Sequence, residues 1–140
     1  NFRLNAIQAV VNDAYEIAHK HNKNLTAAVF PYPEMADHMV RQRWDKWNID
    51  QVYPMIYNSF YDEEIDWVGY ATKQGVADLK DKKTKINTGI YVPGLKNDKE
   101  LKEAILYAKE NGAVGVSFFD GNALSESNFK TIKETKASLK

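Results

Sequence analysis

Three carboxylates in this 140-residue chain stand just past apolar runs: Glu34 after "LTAAVFPYP", Asp62 after "VYPMIYNSFY" and Asp120 after "AVGVSFF". Two carboxylates held about 5 to 10 Å apart can cleave a glycosidic bond, one acting as acid and the other as nucleophile or base. Glu34 is the first choice for the acid, because "FPYPE" leaves it just beyond a strand end. It equally suits the first turn of a helix, where the dipole favours negative charge. Asp120 precedes Gly121 and is a natural turn former. Asp62 opens the acidic run "DEEID", which reads as surface.

The same runs carry large rings. Side chains alternate along a strand. One face then reads Leu25-Ala27-Val29, Val52-Pro54-Ile56, Ile86-Thr88-Ile90 and Val114-Val116-Phe118, all suited to packing under helices. The other begins with small and polar residues and ends in Tyr32, Tyr57, Tyr91 and Phe119. In a parallel sheet these four late positions share the C-terminal rim, where α/β proteins place their ligands. Sugars suit such a rim: their C–H faces lie on aromatic rings and phenols bond their hydroxyls. Asn58, in the loop leaving the second run, and Trp47 join the four rings as candidate substrate-binding residues. Trp44 and Trp47 also suit anchoring a helix to the sheet, and Trp67 suits the core.

Other chemistries find little support. His19, His21 and His38 show no ligand spacing with a carboxylate, so no metal site is expected. There is no cysteine, which excludes disulfides, thiolate ligands and a cysteine nucleophile. No glycine-rich phosphate loop or nucleophile elbow appears, and no cofactor is expected. With 19 basic and 19 acidic residues the net charge is zero, giving no electrostatic case for nucleic acid. No apolar run approaches the ~20 residues that span a bilayer.

Four apolar runs read as strands: "LTAAVF" from Leu25, "VYPMIY" from Val52, "INTGIYV" from Ile86 and "AVGVSFF" from Ala113. Their lack of polar alternation fits strands of a parallel sheet. Pro54 forfeits a ladder bond and argues for a bulge or an edge. A first helix is expected ahead of them, with Leu4, Ile7, Val10, Val11, Ala14, Ile17 and Ala18 on one face and "NKN" ending it. A second is expected over Glu34–Trp44 and a third over about Glu63–Leu79, where Gly69 and Gly75 weaken the pattern. A fourth starts at Asn97, with Glu100 completing a capping box, and closes at Gly112. A fifth follows Ser125. The order α-β-α-β-α-β-α-β-α implies a parallel sheet with right-handed crossovers. A (β/α)8 barrel spends about 31 residues per unit, so four units are half a barrel. A complete doubly wound four-strand sheet is the alternative on spacing alone.

"LTAAVFPYPE", "RQRWDKWNIDQVYPMIYNSFY", "INTGIYVPG" and "GAVGVSFFDGNAL", in this order, resemble the C-terminal half of the family 10 glycosyl-hydrolase-like barrels of bacteria. The most specific part is a tryptophan, a short gap, a second tryptophan, then Asp-x-Val-Tyr-Pro-Met-Ile-Tyr. The resemblance implies a half-barrel over residues 1–140 and a glycoside-hydrolase parent acting on a polysaccharide or oligosaccharide. A non-catalytic carbohydrate-binding barrel is the alternative. It further implies a periplasmic or extracellular location. The family's "Asp-Gly-x-x-x-Asp-Tyr-x-Arg-Tyr-Pro" segment would lie just upstream of Asn1, so the isolated piece is expected to be inactive. The Leu25 and Ala113 strands would be open edges, and self-association is expected through them.

Overall fold

The computed structural model describes residues 2–139, across which five helices alternate with four strands. α1 spans Phe2–Lys20, β1 Thr26–Val29, α2 Pro33–Val40, β2 Gln51–Pro54 and α3 Trp67–Asp78. β3 spans Lys85–Tyr91, α4 Asp98–Glu110, β4 Gly115–Phe119 and α5 Glu126–Ser138. Short 3-10 turns precede β2 at Trp44–Lys46 and follow β2, β3 and β4 at Asn58–Tyr61, Val92–Gly94 and Gly121–Ala123.

Every strand pairing is parallel, and the spatial order is β1-β2-β3-β4. Successive right-handed crossovers in one direction deliver their helices to one face of the sheet. A doubly wound sheet reverses its strand order to place helices on both faces, and no reversal occurs here. Burial follows the same asymmetry. Val29, Val52, Ile56, Ile86 and Ile90 are buried on the helix-covered face with Ala36, Val68, Ala71, Leu101 and Ala104 from the helices. On the opposite face Thr26 and Ala28 are exposed, and Tyr53, Asn87 and Ser117 are half-buried. The fold is α/β, with the strand order and one-sided helix layer of half a (β/α)8 barrel.

α2 ends at Val40, short of the expected Trp44. Arg41 takes the left-handed conformation (φ 59°) and closes the helix with bonds to the Ala36 and Asp37 carbonyls. The break serves Trp44, which is fully buried and donates its indole N–H to the Phe30 carbonyl at 3.1 Å. A Cβ on Gly75 would lie 2.9 Å from the Trp44 ring, so α3 needs glycine where this wedge enters. Gly69 similarly admits Tyr107 and Asn111 of the α4 region. α3 starts at Trp67, later than Glu63: the chain leaves the Asn58–Tyr61 turn through a left-handed Asp62 (φ 54°), and residues 63–66 run as loop and turn rather than helix.

Three further expectations are corrected. Val10 and Ile17, assigned to the buried stripe of α1, are 69% and 60% exposed, while Ile7 and Val11 pack on the core. Pro54 lies in a central strand without a bulge. Gln51 pairs with Lys85, Val52 with Ile86 and Met55 with Gly89 at an unchanged offset, so the ladder lapses without an inserted residue. In α4, Asn97 caps the Glu100 N–H as expected, but the Glu100 carboxylate accepts from Lys96 rather than from the cap.

Two polar contacts fix this layer. Thr72 of α3 and Thr88 of β3 share a hydrogen bond of 2.9 Å, both fully buried. Asp45 accepts from Arg43 at 2.9 and 2.7 Å and contacts Lys46 at 3.3 Å. Burial pushes the Asp45 carboxyl up, but Arg43 and Lys46 outweigh it and hold the group below the ordinary carboxylate value.

Thr88→Val strands the Thr72 hydroxyl and should cost about 1–3 kcal/mol in urea unfolding, whereas Thr72→Val with Thr88→Val should restore most of the loss. Because the Asp45 pKa is lowered on folding, its stabilisation is complete above the ordinary carboxylate range and disappears as pH falls through the lowered value. Asp45→Asn should therefore destabilise by about 1–2 kcal/mol near neutrality, discounted for the partly exposed Arg43, and by far less in strong acid.

Candidate functional site

β2, β3 and β4 end at the same rim, and each delivers a ring there. Tyr57 follows β2, Tyr91 closes β3 and Phe119 closes β4. Their centroids lie 5.4 Å (Tyr57–Tyr91), 6.0 Å (Tyr57–Phe119) and 6.3 Å (Tyr91–Phe119) apart, with interplanar angles of 34°, 21° and 24°. Phe60, on the turn after β2, meets Tyr57 and Tyr91 edge-on at 5.5 and 4.8 Å. Phe60 is 63% and Phe119 55% exposed.

Glycine makes room for this platform. A Cβ on Gly89 would lie 2.7 Å from the Pro54 carbonyl oxygen and 3.4 Å from the Tyr57 ring. Only a bare α-carbon lets the Pro54 carbonyl come this close to β3, with the Tyr57 ring in ordinary contact above it. Gly94, in the turn after β3, likewise abuts Ser59 in the turn after β2. Burial raises the Tyr57 phenol, and burial followed by the Tyr57 charge raises Tyr61. Both therefore stay neutral at physiological pH and keep a proton to donate.

Tyr32, expected in the same group, stands apart. The chain turns into α2 at Pro33, and Tyr32 packs edge-on against Tyr70 of α3 at 6.1 Å. Its phenol is raised by burial first, then by Tyr70, Glu34 and Glu63. Trp47 is a clearer departure. It is 5% exposed and precedes Asp50 and β2, with its carbonyl accepting from Lys82, so it lies at the N-terminal end of the sheet, away from the rim. Asn58 is at the rim, where its amide donates to the Glu63 carbonyl at 3.0 Å and holds the turn. Phe60 escaped the sequence reading because it sits in the loop, outside the strand alternation; its spacing three residues after Tyr57 was the available signal.

The three candidate carboxylates leave three different strand ends. Glu34 is exposed in the first turn of α2, and its charge helps raise both Tyr32 and Asp78 of α3. Asp62 is exposed and closes the Asn58–Tyr61 turn. Asp120 adjoins Phe119, and one of its oxygens accepts from the Asn122 and Ala123 N–H groups at 2.8 and 3.1 Å. Glu34 and Asp120 follow opposite edge strands. Three strand spacings of about 4.8 Å put those two strands roughly 14 Å apart, wider than the ~5–10 Å of an acid pair, while Asp62 follows β2, next to β1. Among the described residues no cluster of histidine and carboxylate side chains could hold a metal ion. No helix is long and apolar enough to cross a membrane.

No protein-family model matches the chain, and no curated protein matches it.

Gly89→Ala should force the Pro54 carbonyl aside and displace Tyr57. The expected cost is about 1–3 kcal/mol in chemical unfolding, with altered ring resonances for Tyr57 and Tyr91 in the folded protein. A silent substitution would show that the close approach does not set the platform.

Proposed function

We propose that this chain is half of a glycoside-hydrolase-like (β/α)8 barrel, and that it holds a polysaccharide or oligosaccharide on the platform of Tyr57, Tyr91, Phe119 and Phe60. The supporting observation is the convergence of rings from three successive strand ends, at the end of the sheet where barrel ligands bind. Ring faces of this size are costly to leave against water and suit the C–H faces of a sugar. The phenol hydroxyls of Tyr57 and Tyr91 supply hydrogen bonds to its hydroxyls.

The reading is one of binding by this chain alone. Asp120 already holds the turn after β4, and hydrolysis in a longer parent would draw on a carboxylate from the strand end that the resemblance places upstream. The parent is read as an exported protein, periplasmic or extracellular, on the resemblance described above. The bare sheet edges add a second partner besides the glycan, another copy of the chain.

Isothermal titration of the chain against a panel of soluble oligosaccharides tests the reading. At least one should bind. Tyr57→Ala and Phe119→Ala should each weaken that binding about five- to tenfold, the equivalent of roughly 1–1.4 kcal/mol. Tyr70→Ala, outside the platform, should leave it unchanged. Absence of binding across the panel, or equal loss with Tyr70→Ala, would remove the platform from the account. Turnover by the isolated chain would contradict the binding-only role.

A further inference from the structure

We propose that a second copy of this chain closes the open half into an eight-stranded barrel, about a two-fold axis parallel to the strands, and so completes the rim site. The proposal rests on the half-barrel reading. Such a rotation preserves strand direction. β4 of each copy then meets β1 of the other in the parallel sense, and both seams form at once. No strand among the described residues occupies the outer edge of either β1 or β4.

The two edges are complementary. Beside β4 lies a trough of about 470 Å³ lined by Ile105, Val114, Val116, Ile132, Lys136 and Leu139. Leu25, just ahead of β1, and Ala27 of β1 are apolar and only half-buried. They are the side chains that a β1 edge placed against β4 would present to the trough. On α1, exposed Asp13 and Glu16 neighbour the bare Val10 and Ile17. On α5, exposed Lys133 and Lys136 neighbour the bare Phe129 and, just past the helix end, Leu139. Among the described residues none of these four charges joins an ion pair within the chain.

Counting elements places the two helices. A (β/α)8 barrel seats eight strands and eight helices. Two copies supply eight strands and ten helices. The surplus at each seam is α1, which contains no buried residue, riding on α5 of the partner. Both helices run against the strands, and the contact covers the apolar residues each leaves bare while setting acids against lysines. Closure also brings the second copy's Tyr57, Tyr91 and Phe119 to the same mouth, so a glycan would lie between two platforms.

Sedimentation velocity over a range of concentrations tests the pairing. A species of twice the 16.0 kDa chain mass is expected. Asp13→Lys with Glu16→Lys should raise the dimer Kd about tenfold or more, as should Lys133→Glu with Lys136→Glu. The four changes together should bring it back toward the starting value. All four positions are exposed on helices, and circular dichroism verifies that each variant is folded. A folded 16.0 kDa monomer at every concentration overturns the proposal and leaves the edges to a unit of four strands and three helices. So does open-ended growth, or charge reversal without rescue. Glycan titration of the same samples separates the two readings: binding by a monomer removes only the dimer, and a dimer without binding removes only the platform.

Discussion

Burial of the sheet on one face only is the constraint from which the other features follow. The sequential parallel order sends the helices to the same side, and one layer of them then carries the hydrophobic core. That layer must pack closely against short strands. Trp44 is the wedge that fills it: α2 stops early to present the indole, Gly75 makes room for the ring, and the Phe30 carbonyl takes its N–H. Had the helices been shared between both faces, the rim rings would stand beneath a second helix layer. As it is, the uncovered face leads directly to Tyr57, Tyr91 and Phe119.

The rim is built by close backbone approach as much as by ring choice. Gly89 brings β3 against the Pro54 carbonyl, and Gly94 brings the turn after β3 against Ser59. The turns after β2 and β4 are pinned by side chains, Asn58 to the Glu63 carbonyl and Asp120 to two N–H groups. Asp120, one of the candidate carboxylates, thereby also holds the turn beside Phe119. A stacking surface needs such rigidity, since flexible rings would lose entropy on binding that rigid ones do not.

Much of the architecture is legible in the residue order. The four strands declare themselves as apolar runs because a parallel sheet suppresses polar alternation. α4 and α5 declare their starts through Asn97 and Ser125, whose caps are local chemistry. The misreadings arise where distant packing decides. Nothing near Trp44 signals that its burial breaks α2, and a turn rather than a helix after Asp62 reflects the rim. Val10 and Ile17 fit the period of α1, but a helix at an open edge has a neighbour on one side only. At the site, strand alternation correctly brings Tyr57, Tyr91 and Phe119 together. It fails for Tyr32, which lies past Pro31 where the chain has already left β1. Trp47 illustrates a further limit: spacing does not reveal which end of the sheet a loop tryptophan occupies.

The account turns on whether the ring platform at the uncovered rim is the surface that meets a sugar. Nuclear magnetic resonance titration of the chain, with the aromatic side chains assigned and an oligosaccharide added, addresses this directly. The account predicts that the ring signals of Tyr57, Phe60, Tyr91 and Phe119 shift together with one saturation curve, while Tyr32, Tyr70 and Trp47 stay in place. Shifts centred on Tyr32 and Tyr70, or saturable binding that leaves the four platform rings unmoved, would contradict it.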